Sequence, residues 1–114
     1  MRVDRWELTL LGQEATIRQA FENLNSSGLQ VVMCVNEKSK LLGILTDGDL
    51  RRGVLSGLSL DDEIATLINK SPVTVSPVIP PKKVVSTMRL KRLRHLPIVD
   101  ESGVVVGLHL DESS

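Results

Sequence analysis

The residues with the most chemical potential stand together in Gly43-Ile44-Leu45-Thr46-Asp47-Gly48-Asp49, a run that closes an apolar stretch and opens a helical pattern. Thr46 and Asp49 fit the Ser/Thr-x-x-Asp/Glu spacing of a helix cap. There the hydroxyl accepts the third helical N–H and the carboxylate reaches back to the cap's own N–H. The same arrangement offers a ligand backbone N–H groups, a hydroxyl and a carboxylate at a strand end. Helix N-termini attract phosphate, and an acidic side chain accepts bonds from ribose hydroxyls. Capping and binding are compatible, so spacing leaves both roles open. Asp47 and Asp49 could also share Mg2+ with a ligand phosphate.

Lys91-Arg92-Leu93-Arg94-His95 is the other charged constellation. As a charge run it reads as a solvated helix face; alternatively Arg94 or His95 would neutralise the phosphates of a ligand held nearby. Lys82-Lys83 sits at a helix start, where the dipole disfavours cations, and is assigned no role. Asp61-Asp62-Glu63 reads as decoration of a helix N-terminus. His95 and His109 are the only histidines and have no Cys or carboxylate cluster at ligand spacing, so no metal site is expected. Nor is there a Ser-His-Asp or Cys-His arrangement for nucleophilic catalysis. Cys34, the single cysteine, lies in the run Val31-Val32-Met33-Cys34-Val35 and reads as a buried core thiol.

The elements that must position these residues come from a repeat. Gly43 and Gly107 are 64 residues apart, as are Val35 and Val99, and the stretches around them share apolar run, polar turn, apolar run and glycine. Each copy predicts two strands joined by a short loop, Asn36–Ser39 or Asp100–Gly103. Ile17, Ala20, Phe21 and Leu24 predict an amphipathic helix stopped by Asn25-Ser26-Ser27-Gly28, and Val84, Val85, Met88 and Leu93 predict its counterpart after Pro80-Pro81. A further helix is expected at 47–55, another at 61–69, and an extended strand at 71–77. One such unit has too little core to stand alone, whereas two packed through their sheets would bury a shared apolar layer.

Composition narrows the function classes. Fourteen basic and fourteen acidic residues cancel, and one Phe, one Trp and no Tyr leave no stacking platform, so nucleic-acid binding is not expected. The longest apolar stretches are five or six residues, too short for a membrane span. Residues 1–6 lack the apolar core of a signal peptide, and the cytoplasm is the expected compartment.

Taken together, the duplicated unit and the run Gly-Ile-Leu-Thr-Asp-Gly-Asp-Leu-Arg-Arg resemble the CBS domain family, whose motifs pair into a Bateman module. The resemblance covers Leu8 to Leu110. It implies an α+β fold of two motifs, each a small mixed sheet with flanking helices, packed with pseudo-two-fold symmetry. Residues 1–114 would form one module, with motifs at 8–60 and 61–114. The second would lack its final helix, because the chain stops at Ser114. The resemblance further implies a regulatory unit that senses an adenosine nucleotide and is not itself an enzyme. Thr46 and Asp49, with Asp47 and Gly48 between them, would meet the ribose and phosphate. Ser71-Pro72-Val73 would lie against the base, and Leu93-Arg94-His95 would complete the cleft. Leu110 and Ser113 replace Thr46 and Asp49 in the second copy, so one site is expected rather than two.

The stretch 43–60 looks most like the CBS pair in front of sugar-phosphate nucleotidyltransferases of the mannose-1-phosphate guanylyltransferase kind. A similar run occurs in sugar-phosphate isomerases of the arabinose-5-phosphate type; the early Trp6 favours the first. An attached catalytic domain and a homodimer are implied partners. A ligand-free module for dimerisation or docking is the competing expectation.

Overall fold

A computed structural model describes residues 2–111. The helices are α1 (Ile17–Ser27), α2 (Asp47–Leu55) and α3 (Pro81–Leu90). The strands are β1 (Leu10–Gly12), β2 (Val31–Val35), β3 (Leu41–Thr46), β4 (His95–Val99) and β5 (Val105–Leu110), and short 3-10 turns cover Trp6–Thr9 and Ile64–Thr66.

Local chemistry explains the helix ends. Thr16 opens α1 as a reciprocal cap with Gln19, and Gly28, at φ 68°, closes it by donating its N–H to Leu24 O. Pro80 and Pro81 start α3, where a missing N–H costs nothing. At its far end Arg92 takes φ 54°, which lets Leu93 N–H reach Met88 O at 2.8 Å and Arg92 N–H reach Arg89 O at 3.3 Å. That pair of bonds is a Schellman ending.

β1 lies parallel to β2 and β2 antiparallel to β3, while β4 and β5 form a second antiparallel pair. The two hairpins are alike in detail. Val31 faces Thr46 and His95 faces Leu110, and both hairpins shift register at the same place, Cys34/Val35 and Ile98/Val99. Asn36 Oδ1 accepts the N–H groups of Lys38 and Lys40, and Asp100 Oδ1 accepts those of Ser102 and Val104. Every one of these residues has its partner 64 positions on.

The core follows from strand alternation. β2 is buried along its whole length. Val32 and Cys34 face Ile17, Ala20, Leu50 and Ile64, whereas Val31, Met33 and Val35 pack with Val105 and Leu108 of the second copy. The expected shared layer is therefore present. Val84, Met88 and Leu96 form a third cluster with Val73, Val75 and Leu93. The result is a mixed α+β fold with helices flanking small sheets. Cys34 is fully buried, and that burial pushes its thiol pKa up.

Three expected elements differ. The helix expected at 61–69 is only the 3-10 turn Ile64–Thr66. Its backbone is drawn into long-range bonds instead: Ile64 N–H donates to Ala15 O, and Asn69 exchanges both of its backbone bonds with Ile44. Asp62 consequently caps backward onto Ser59 N–H, at 2.7 Å, rather than onto a helix start. The strand expected at 71–77 reduces to one parallel bridge, Val75 to Ile98, because Pro72 and Pro77 have no N–H to donate. Leu93 lies beyond α3, and Val85 is half exposed on it.

Candidate functional site

The end of β3, the first turn of α2 and the segment entering β4 enclose a cleft of about 840 Å3. Of the residues singled out from sequence, Thr46, Asp47, Gly48, Leu93, Arg94 and His95 line it together. Asp49, Ser71, Pro72 and Val73 do not. Val73 packs into the third apolar cluster, and Ser71 N–H donates to Asn69 Oδ1 at 3.1 Å, just beyond the Ile44–Asn69 bridge.

Thr46 ends β3 and caps α2. Its Oγ accepts Asp49 N–H at 3.3 Å, and its own N–H and hydroxyl donate to Asp49 Oδ2 at 2.9 and 3.0 Å. Asp49 Oδ1 in turn accepts from Arg52 at 2.7 Å, and Asp47 Oδ2 accepts from Arg51 Nε at 2.7 Å. Both carboxylates are thus partly neutralised by cations of their own helix. Asp49 orders the cap from behind, while Thr46, Asp47 and Gly48 meet the open space.

The facing wall has the opposite character. Arg92 and Arg94 are exposed along it and enter no ion pair among the described residues. His95 is nearly buried, with Nε2 3.1 Å from Leu29 O. A carbonyl only accepts, so Nε2 carries the proton. Burial holds the His95 pKa below the ordinary imidazole value. The positive Arg94 acts in the same direction, against the Leu29 bond. His95 is therefore a neutral strut tying β4 to the entry of β2.

Sequence reading missed Phe21, Leu24, Asn25, Gln30, Ile44 and Arg92 as lining residues. Phe21 and Leu24 had a sufficient role in the apolar stripe of α1. The repeat held the signal for Gln30, since it lies 64 residues before Arg94. In the second copy Leu110, opposite His95 on β5, has no hydroxyl with which to cap a helix; Ser113 lies outside the described residues. Among the described residues no cluster of His, Cys, Asp and Glu is arranged to hold a metal, and no helix is long and apolar enough to cross a membrane.

The family described as CBS domain matches residues 5–56 and 63–108. An uncharacterized protein of Helicobacter pylori (strain J99) is 30% identical over 109 residues, which cover 92% of this chain and 32% of that protein. An uncharacterized protein of Methanopyrus kandleri is 36% identical over 97 residues, 83% of this chain and 49% of that one. The chain spans about a third of the length of the Helicobacter relative and of a further one from Rickettsia prowazekii. Among solved structures, the CBS domain protein PAE2072 from Pyrobaculum aerophilum, complexed with AMP, superposes with a TM-score of 0.80 at 24% identity, covering 95% of this chain and 87% of that one. CBSX2 in complex with AMP gives 0.82 at 19% identity, covering 96% and 85%.

Proposed function

The chain belongs to the CBS domain family, and from that premise we propose that it is a regulatory module binding an adenosine nucleotide in the cleft beside Thr46, with no chemistry of its own. The observation that carries this reading is the pairing of unlike walls: a capped helix start on one side and, on the other, two arginines that enter no ion pair among the described residues. The AMP bound by two proteins of the same fold supports it. Thr46, Asp47 and Gly48 take the ribose and phosphate end, and Leu93, Arg94 and His95 form the opposing wall. Asp49 reaches the ribose hydroxyls by loosening its Arg52 pair. Ser71-Pro72-Val73, tethered beside Ile44 through Asn69, backs the base. Residues 8–60 and 61–114 are the two motifs that supply the walls.

A ligand that favours one arrangement of the motifs biases whatever enzyme is attached. The resemblance of the stretch 43–60, with the early Trp6, favours a sugar-phosphate nucleotidyltransferase as that enzyme, with a sugar-phosphate isomerase as the alternative. A cytoplasmic homodimer, with Mg2+ accompanying a phosphate ligand, completes the reading. Calorimetry with AMP, ADP, ATP and GTP tests it: one of them binds, and failure of all four at millimolar concentration overturns it.

Two observations favour a ligand-free docking module. Thr46 and Asp49 already satisfy each other, and Leu55 and Leu90 stand 86% and 84% exposed on α2 and α3. Under that reading nucleotides leave thermal stability unchanged, while sedimentation shows a concentration-dependent dimer.

A further inference from the structure

We infer that Arg92 is an anion-binding arm of this cleft, and that with Arg94 it selects a ligand bearing two or more linked phosphates over a monophosphate. The inference rests on the nucleotide reading above for the rest of the ligand, but its phosphate chain is argued from this wall alone.

Arg92 occupies the left-handed position that ends α3, at φ 54°. The equivalent residue of the first copy, 64 positions earlier, is Gly28 at φ 68°. Glycine suits that conformation because it has no Cβ to crowd the backbone carbonyl. The second copy adopts the same left-handed φ at this position, within a different set of end bonds, and places an arginine there, whose side chain borders the cleft.

Charge says what that side chain is for. From Ile64 to Val99 the chain holds seven Lys and Arg and no acidic residue, so the segment cannot neutralise itself. Across the cleft, Asp47 and Asp49 are occupied by Arg51 and Arg52. Arg92 and Arg94 thus border the open space without an ion pair among the described residues, and with planar donor forks suited to phosphate oxygens. Cap and arginines line the same cleft, so a phosphate seated at the α2 cap leaves the arginines for the further phosphates of a di- or triphosphate. The apolar side chains of Phe21, Leu24, Ile44 and Leu93 line the remainder, where a flat ring fits.

The test compares AMP, ADP, ATP and inorganic tripolyphosphate by calorimetry on the wild-type chain and on Arg92→Gly. Glycine relaxes the backbone at this position, so the variant should unfold at a temperature equal to or above wild type. It should nonetheless lose about tenfold in ATP affinity while AMP affinity falls far less. Equal wild-type affinity for AMP and ATP, or ATP binding indifferent to Arg92→Gly, overturns the inference while leaving the nucleotide site intact. Arg92-dependent binding of tripolyphosphate without any nucleotide sustains the anion arm and overturns the nucleotide reading. Absence of binding by all four probes overturns both.

Discussion

Lys40 and Val104 pair across an isolated antiparallel bridge, and they are equivalent residues of the two copies, 64 positions apart. The bonds on either side, Leu41 N–H to Gly103 O at 3.0 Å and Val105 N–H to Ser39 O at 3.1 Å, exchange into each other under the same offset. A residue meets its own equivalent in this way only on a two-fold axis. The axis of the expected pseudo-symmetry therefore passes through this bridge, above the apolar layer that both hairpins share.

Because that layer belongs to both copies, damage on one side should unfold both. Leu108 is fully buried against β2. Leu108→Ala should cost about 2–5 kcal/mol, with urea unfolding still a single transition. Separate transitions by fluorescence and circular dichroism would contradict a shared core.

The cap at Thr46 links stability to binding. Thr46→Ala removes the acceptor for Asp49 N–H and should cost about 1 kcal/mol in urea unfolding. Asp49→Ala should add a loss of about 1–3 kcal/mol in nucleotide affinity by calorimetry, through its charge-assisted bonds. Undiminished affinity would confine Asp49 to the cap.

Gly43 tests the tether between β3 and the segment leading to the second copy. A Cβ there would run into the backbone carbonyl of Asn69, which pairs with Ile44 and cannot swing aside. Gly43→Ala should therefore destabilise by about 1–3 kcal/mol in chemical denaturation, despite the strand's ordinary φ.

Acid should weaken the fold through its two histidines. Burial lowers the pKa of both His95 and His109 in the folded chain. Unfolded imidazoles titrate near about 6.5, so below that pH the unfolded chain takes up protons that the folded chain refuses. Their contribution is complete above that pH and is lost as the pH falls. Unfolding free energies between about pH 8 and 5 should decline on acidification, less steeply in His95→Gln. A flat profile would mean that neither ring resists protonation.

Cys34 should be inert in the native state. It is fully buried and its thiol pKa is raised by that burial. A chromogenic disulfide reagent should label it only on unfolding, and fast native labelling would place it near an opening.

The hairpins, α1, α2 and the α3 start were legible because their signals are local: alternating apolar residues, an Asn or Asp turn, a Thr cap, a proline pair. The repeat also foretold the shared layer. The stretch 61–69 was not legible, because Ile64 and Asn69 give their backbone groups to Ala15 and Ile44, distant partners that no local pattern announces. The strand at Val75 failed for a different reason, since prolines at 72 and 77 restrict pairing on both sides. Within the cleft, Thr46 and Arg94 announced themselves by residue type. Phe21, Ile44 and Gln30 did not, because apolar stripes and a lone amide have ordinary explanations until the elements close around them.

The two hairpin turns also preserve something of the molecule's history. Asn36 and Asp100 make the same pair of bonds with different side chains, one neutral and one charged. Such a turn asks only for a short oxygen acceptor, so a copied segment could drift at this position while keeping its shape. Thr46 and Leu110 mark the contrasting case, where only one of two equivalent positions holds a hydroxyl able to cap a helix. The ancestral unit is thus still readable in the loops that hold the hairpins, while the residues at the strand ends record how the copies parted.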